Sequence, residues 1–146
     1  MPKVIHIING PNLNLLGTRE PEVYGSQTLE DIEAMVRASA GDATIVFHQS
    51  NVEGELVVFI QEAGRSADAI ILNPAAYTHS SVAIYDALKA VPIPAVEVHL
   101  SQPAARESFR RRSLVSEAVT GTISGFGANS YLLGLQAALK LAKGGG

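Results

Sequence analysis

"KVIHIINGPNLNLLGTREPEVYG", residues 3–25, sets the frame for the whole chain. Its first part, residues 3–9, carries Val4, Ile5, Ile7 and Ile8 in one short apolar run, the pattern of a buried strand. Residues 10–25 are of another kind, broken by Gly10, Gly17, Gly25, Pro11 and Pro21 and holding Asn12, Asn14, Arg19 and Tyr24. Connections in compact domains have a median of about 4–6 residues, and those beyond about 12–15 are usually functional or disordered. A strand leading into so long a connection is the first sign of a site.

Four more Val- and Ile-rich runs come after it: residues 43–48 (ATIVFH), 67–73 (ADAIILN), 94–99 (PAVEVH) and 118–123 (AVTGTI). Between and after them, helix patterns are predicted over residues 28–40, 54–66, 80–90, 105–112 and 128–143. Thr28 precedes acidic residues of a first helical turn, and Ser80 opens the segment that runs to Ala90. Strict strand–helix alternation implies a parallel sheet with helices on both faces, because parallel neighbours need crossover connections. The fold class expected is therefore α/β: a flavodoxin-like three-layer α/β/α domain with a five-stranded parallel sheet in the order 2-1-3-4-5.

At 146 residues the chain suits one domain, 1–146, with the glycine-rich end from about 143 expected to fray. Apolar residues make up 47% and charged ones 17%, and no apolar run is long enough to cross a bilayer. The N-terminus places His6 and Asn9 inside its apolar run, unlike a secretory signal, so a cytoplasmic location is expected. Having no cysteine excludes disulfides, thiolate zinc sites and cysteine nucleophiles. A formal net charge of -3 argues against a nucleic-acid partner, and the basic run Arg110, Arg111, Arg112 reads first as a solvated face.

In such a sheet, ligands bind beyond the carboxyl ends of the strands at the point where strand order reverses, here between the first and third strands. Asn9, Gly10, Pro11 and Asn12 follow strand one; His48 to Asn51 follow strand two; Asn73, Thr78 and His79 follow strand three; Glu97, His99, Leu100 and Ser101 follow strand four. Polar loop ends alone are ordinary turn and cap chemistry. Three of the chain's four histidines at three strand exits are not.

His48, His79 and His99 are suitable metal ligands, yet they lack the paired spacings of metal sites, and no metal is expected. The residues after strand one form no GxGxxG phosphate turn, and Asn9 and Asn73 stand where a phosphorylated receiver domain needs acids. Acid–base chemistry remains. Glu97, two residues before His99 on a strand, shares its face and can orient the imidazole. A tyrosine acts as a base only where a cation favours its phenolate, and Arg19 with Tyr24 supplies that pair.

Six motifs in order, "INGPNLNLLGTREPEVYG", "HQSNVEGELV", "LNPAAYTHSSVAIYDAL", "VEVHLS", "ARESFRRRS" and "GTISGFGANSYLLGLQAAL", resemble the type II 3-dehydroquinate dehydratases over nearly the whole chain. The resemblance implies a cofactor-free hydro-lyase of the shikimate or quinate pathways, taking 3-dehydroquinate to 3-dehydroshikimate through an enolate. By the same resemblance Tyr24 is the base and Arg19 keeps it ionised, Asn12 stabilises the enolate, and His99, assisted by Glu97, is the general acid. Asn73, His79, Arg110 and the backbone N–H groups of Leu100 and Ser101 match substrate-binding positions. Asp86 matches a residue that reaches a neighbouring subunit's site, in a dodecamer built from trimers. Residues 10–25 then become a flap that closes over substrate. The alternative is a catalytically silent small-molecule-binding relative.

Two departures from the family pattern stand out. Ala75 replaces a common glycine, and Gln102, Pro103 and Ala104 replace a stretch that often carries an asparagine, an aliphatic residue and a histidine. Pro103 removes one backbone donor but leaves those of Leu100 and Ser101, so altered affinity is expected, not lost activity.

Overall fold

β-branched residues place the strands, and the polar residues that end them place the turns. The computed structural model describes residues 1–18 and 20–142, with Tyr24 and Ala104 described by their backbone alone. Its strands are β1 (Val4–Asn9), β2 (Thr44–Gln49), β3 (Ala69–Asn73), β4 (Ala95–His99) and β5 (Gly121–Ser124). They form one parallel sheet in the order β2-β1-β3-β4-β5, the flavodoxin-like arrangement expected from the alternation.

The described residues include five α-helices: α1 (Pro21–Tyr24), a single turn in the connection after β1, and α2 (Leu29–Ala38), α3 (Glu53–Ser66), α4 (Val82–Ala90) and α5 (Asn129–Ala142), which cover the sheet. Alternation along the strands divides the core in two. Ile5, Ile7, Ile71 and Val98 meet Ile32 and Val36 of α2 and Leu135 and Ala138 of α5. On the other face Ile8, Ile70, Leu72 and Ala95 meet Leu56 and Ile60 of α3 and Ile84 and Leu88 of α4. β1 and β3 are covered on both sides, which is why they read as continuous apolar runs.

Thr28 caps α2 through a reciprocal box, accepting from the Asp31 N–H at 3.1 Å while the Asp31 carboxylate accepts from the Thr28 N–H at 3.0 Å. For α4 the cap is Ser81, not Ser80: its hydroxyl accepts from the Ile84 N–H at 2.9 Å. The expected helix over residues 105–112 does not form. Pro103–Ala105 and Ser108–Arg110 are separate 3-10 turns, because residues 103–112 have no apolar stripe to bury and Pro103 starts the first turn. The fifth strand likewise starts later than expected, since Val115–Ala118 makes a 3-10 turn whose Val115 completes the second core. Residues 143–146, where fraying was expected, lie outside the described residues.

Candidate active site

β1, β3 and β4 end on one side of the sheet, and their exits enclose a cleft. Asn12, Asn73, His79, His99, Leu100, Ser101 and Arg110, all sequence-predicted, line it together. Glu97 lies fully buried behind His99. Asp86 does not join them: it sits exposed on α4, outside the cleft of its own chain. Tyr24 ends α1, but its side chain and the whole of Arg19 lie outside the described residues.

Asn12 holds a left-handed backbone, φ 69°, at the turn after β1. Its N–H donates to Asn51 Oδ1 at 2.9 Å, and Gln49 Nε2 donates to both Gly10 O and Asn51 Oδ1 at 3.2 Å. The exit of β2 thus clamps the exit of β1, and Asn12 lines the cleft. Beneath it, Tyr131 of α5 donates its hydroxyl proton to Asn9 Oδ1 at 2.6 Å and accepts from Asn73 Nδ2 at 2.9 Å. Burial pushes the Tyr131 phenol well above its usual range, with the Asn73 hydrogen bond only partly opposing this. That tyrosine is a structural post and no base.

Glu97 and His99 form a carboxylate–imidazole pair beside the cleft. His99 Nε2 hydrogen-bonds Glu97 Oε2, which leaves Nδ1 for a bound molecule. Thr78 donates to the same carboxylate oxygen at 2.5 Å and Ser116 to Oε1 at 2.8 Å. Burial alone raises the Glu97 carboxyl, but the His99 hydrogen bond and charge, with the Thr78 and Ser116 hydroxyls, outweigh it and hold the group below the usual carboxylate range. An ionised, fully held carboxylate backing an imidazole is equipment for delivering or taking a proton.

His79 Nδ1 donates to the Arg112 carbonyl at 2.7 Å, so its Nε2 is the nitrogen free for the cleft. Arg110 is braced by Glu107, Nε to Oε2 at 2.7 Å, with its guanidinium 4.9 Å from the centre of the Phe109 ring. These contacts distinguish Arg110 from Arg111 and Arg112, which are exposed. Arg106 also lines the cleft and was missed by sequence reasoning, although it stands four residues before Arg110 in "ARESFRRRS". Thr78 was noted after strand three without a role, while Ser113 and Ser116 were missed, having no signal beyond ordinary turn residues. Among the described residues no three His, Asp or Glu side chains converge as metal ligands.

An open parallel α/β fold whose switch-point cleft joins a carboxylate–imidazole pair to amides and a guanidinium has the groups that acid–base chemistry on a small polar molecule requires. The Dehydroquinase class II family model matches residues 3–139, and the chain belongs to that family. It is 59% identical over 142 residues to the 3-dehydroquinate dehydratase of Hyphomonas neptunium, covering 97% of each chain. To that of Phenylobacterium zucineum it is 59% identical over 145 residues, covering 98% of this chain and all of the relative. Among solved structures, a type II dehydroquinase from Butyrivibrio crossotus superposes with a TM-score of 0.92 at 39% identity, over 94% of this chain and 98% of the other.

Proposed function

We propose that this chain is a type II 3-dehydroquinate dehydratase, removing water from 3-dehydroquinate to give 3-dehydroshikimate. The Glu97–His99 pair at the switch-point cleft carries the reading. Tyr24, as phenolate beside Arg19, takes the proton next to the ketone, and the electrons shift to an enolate. Asn12 stabilises that charge through a held water, a preorganised dipole in the site. His99 then gives the proton on Nδ1 to the departing hydroxyl, the C–O bond breaks, and water leaves. Leu100 and Ser101 hold the substrate carboxylate through their N–H groups, while Asn73, His79 and Arg110 fix its hydroxyls.

The reading brings with it a shikimate- or quinate-pathway role, a cytoplasmic location and a dodecamer of trimers. No helix among the described residues is long and apolar enough to cross a membrane. Exposure of Asp86 away from its own cleft is what a residue serving a neighbouring subunit needs. The test is ultraviolet absorbance of the conjugated enone after addition of 3-dehydroquinate. Absorbance is expected to rise with the wild type and to stay flat with Tyr24→Phe. A silent wild type overturns the activity and leaves a small-molecule-binding relative; an active Tyr24→Phe overturns the choice of base.

A further inference from the structure

Behind His99, on the side away from the cleft, the Glu97 carboxylate meets a short chain of hydroxyls. Thr78, on the 3-10 turn after β3, is almost fully buried and outside the cleft lining. Its hydroxyl lies 2.5 Å from Glu97 Oε2 and 2.7 Å from Ser113 Oγ. Ser113 Oγ accepts from the Ser116 N–H at 3.0 Å, and the Ser116 hydroxyl reaches Glu97 Oε1 at 2.8 Å.

The polarity of this hydroxyl chain is set by counting protons. An ionised carboxylate only accepts, so Thr78 spends its single O–H on Glu97. Ser113 must then donate to Thr78, and its remaining lone pairs accept the Ser116 N–H. Every donor points at one anion, an arrangement in which each bond strengthens the next.

We propose that Thr78, backed by Ser113 and with Ser116 on the second oxygen, is a positioning residue that fixes the Glu97 carboxylate in the orientation from which it holds His99 Nε2. The inference rests on the reading of His99 as general acid. Thr78 follows β3 and Ser113 and Ser116 follow the Arg110 turn, so one hydroxyl chain ties two cleft walls to the acid. The Leu114 N–H adds a bond to the Thr78 carbonyl at 2.8 Å.

Around the pair, the other charged or titratable groups lining the cleft among the described residues are His79, Arg106 and Arg110. Glu107 is within ion-pair distance of both arginines. Glu117 on the Ser116 turn is exposed, as are Asp86 and Lys89 on α4, and Tyr131 lies on the other face of the sheet. Among the described residues, the Glu97 carboxylate is held by hydrogen bonds with His99, Thr78 and Ser116.

The experiment compares steady-state turnover of 3-dehydroquinate from pH 5 to 9 for the wild type and for Thr78→Val, Thr78→Ser and Ser116→Ala, each checked for a cooperative thermal transition. Thr78→Val removes a donor from the anion, so Glu97 takes a proton at higher pH and the acidic limb of kcat moves towards neutrality. A drop in kcat of about tenfold with KM within about twofold is expected, since the residue touches no substrate. Thr78→Ser keeps the hydroxyl and returns the limb to its wild-type position, which a packing role for the methyl group would not do.

Should Thr78→Val fail to fold, Ser116→Ala, at a half-buried position, carries the test with the same direction of shift. An unmoved acidic limb in the folded variants, or a loss confined to KM, overturns the inference. A wild type without turnover, by contrast, overturns the activity on which it rests.

Discussion

Ala75 holds a left-handed backbone, φ 53°, directly after Asn73 and Pro74 at the lip of the cleft. This conformation costs an L-residue with a Cβ about 1–2 kcal/mol, and the Asn73 Oδ1 that accepts the Ala75 N–H at 3.1 Å keeps it there. Ala75→Gly is therefore expected to raise stability by about 0.5–1 kcal/mol, the relief of strain exceeding glycine's extra chain entropy, as measured by urea unfolding. The departure from the family's glycine was visible in the sequence; its positive φ was not. Glu97→Gln tests a different residue. It removes the anion behind His99, and a fall in kcat of about a hundredfold is expected in the enone assay. The same group sets a stability term. Its carboxyl titrates lower in the folded protein than in the unfolded chain, so its contribution is complete above about pH 4.3 and disappears as pH falls through the lower folded value. Urea midpoints measured from pH 5 to 3 should fall less steeply in Glu97→Gln than in the wild type.

Turns and caps, more than strands, decide how the cleft is shaped. Gly10 follows β1 so closely against β3's exit that a Cβ built there would lie 2.6 Å from the Pro74 carbonyl oxygen, and its N–H donates to Asn73 O at 2.8 Å. Gly10→Ala is expected to cost about 1–3 kcal/mol by forcing those backbones apart, read as a lowered melting temperature, and to raise KM through Asn73. Thr28→Ala, which opens the capping box of α2, should cost about 1 kcal/mol and leave kcat unchanged, since α2 does not line the cleft. Strand identity was legible because Val and Ile crowd into runs bounded by Asn, Gly and Pro. Glu97 and His99 were legible as a pair because alternate strand residues share a face. The segment from Pro103 to Ala118 was not, because its turns depend on where Val115 and Ser116 lodge against β4's neighbours, a tertiary fact with no local period. Nor could Ser81 be told from Ser80 as a cap: adjacent serines have equal propensity, and only the chain's path after His79 selects one.

His6 and His48 couple the sheet to α3. Their rings meet edge to face at 5.8 Å, and His48 stacks on Phe59 of α3 at 4.1 Å. His6 Nδ1 and His48 Nε2 are buried without hydrogen-bond partners among the described residues. Burial lowers both imidazoles below their usual value, His48's charge lowers His6 further, and Glu62 partly opposes the shift at each. Both therefore bind protons more readily in the unfolded chain. Stability is complete above about pH 6.5 and is lost as pH falls through the lower folded values. Urea unfolding at pH 7.5 and 5.5 should show this decline, and the double variant His6→Val, His48→Phe should flatten it. Tyr131 has a consequence of a different kind. Asn9 and the tyrosine whose hydroxyl it receives are 122 positions apart, and Asn73 is bridged to it across 58. On the ribosome, the floor of the cleft is thus translated early and its keystone late. Until α5 emerges, the first three strands hold two interior amides with no phenol between them, so the floor of the cleft closes only after residue 131 has been translated.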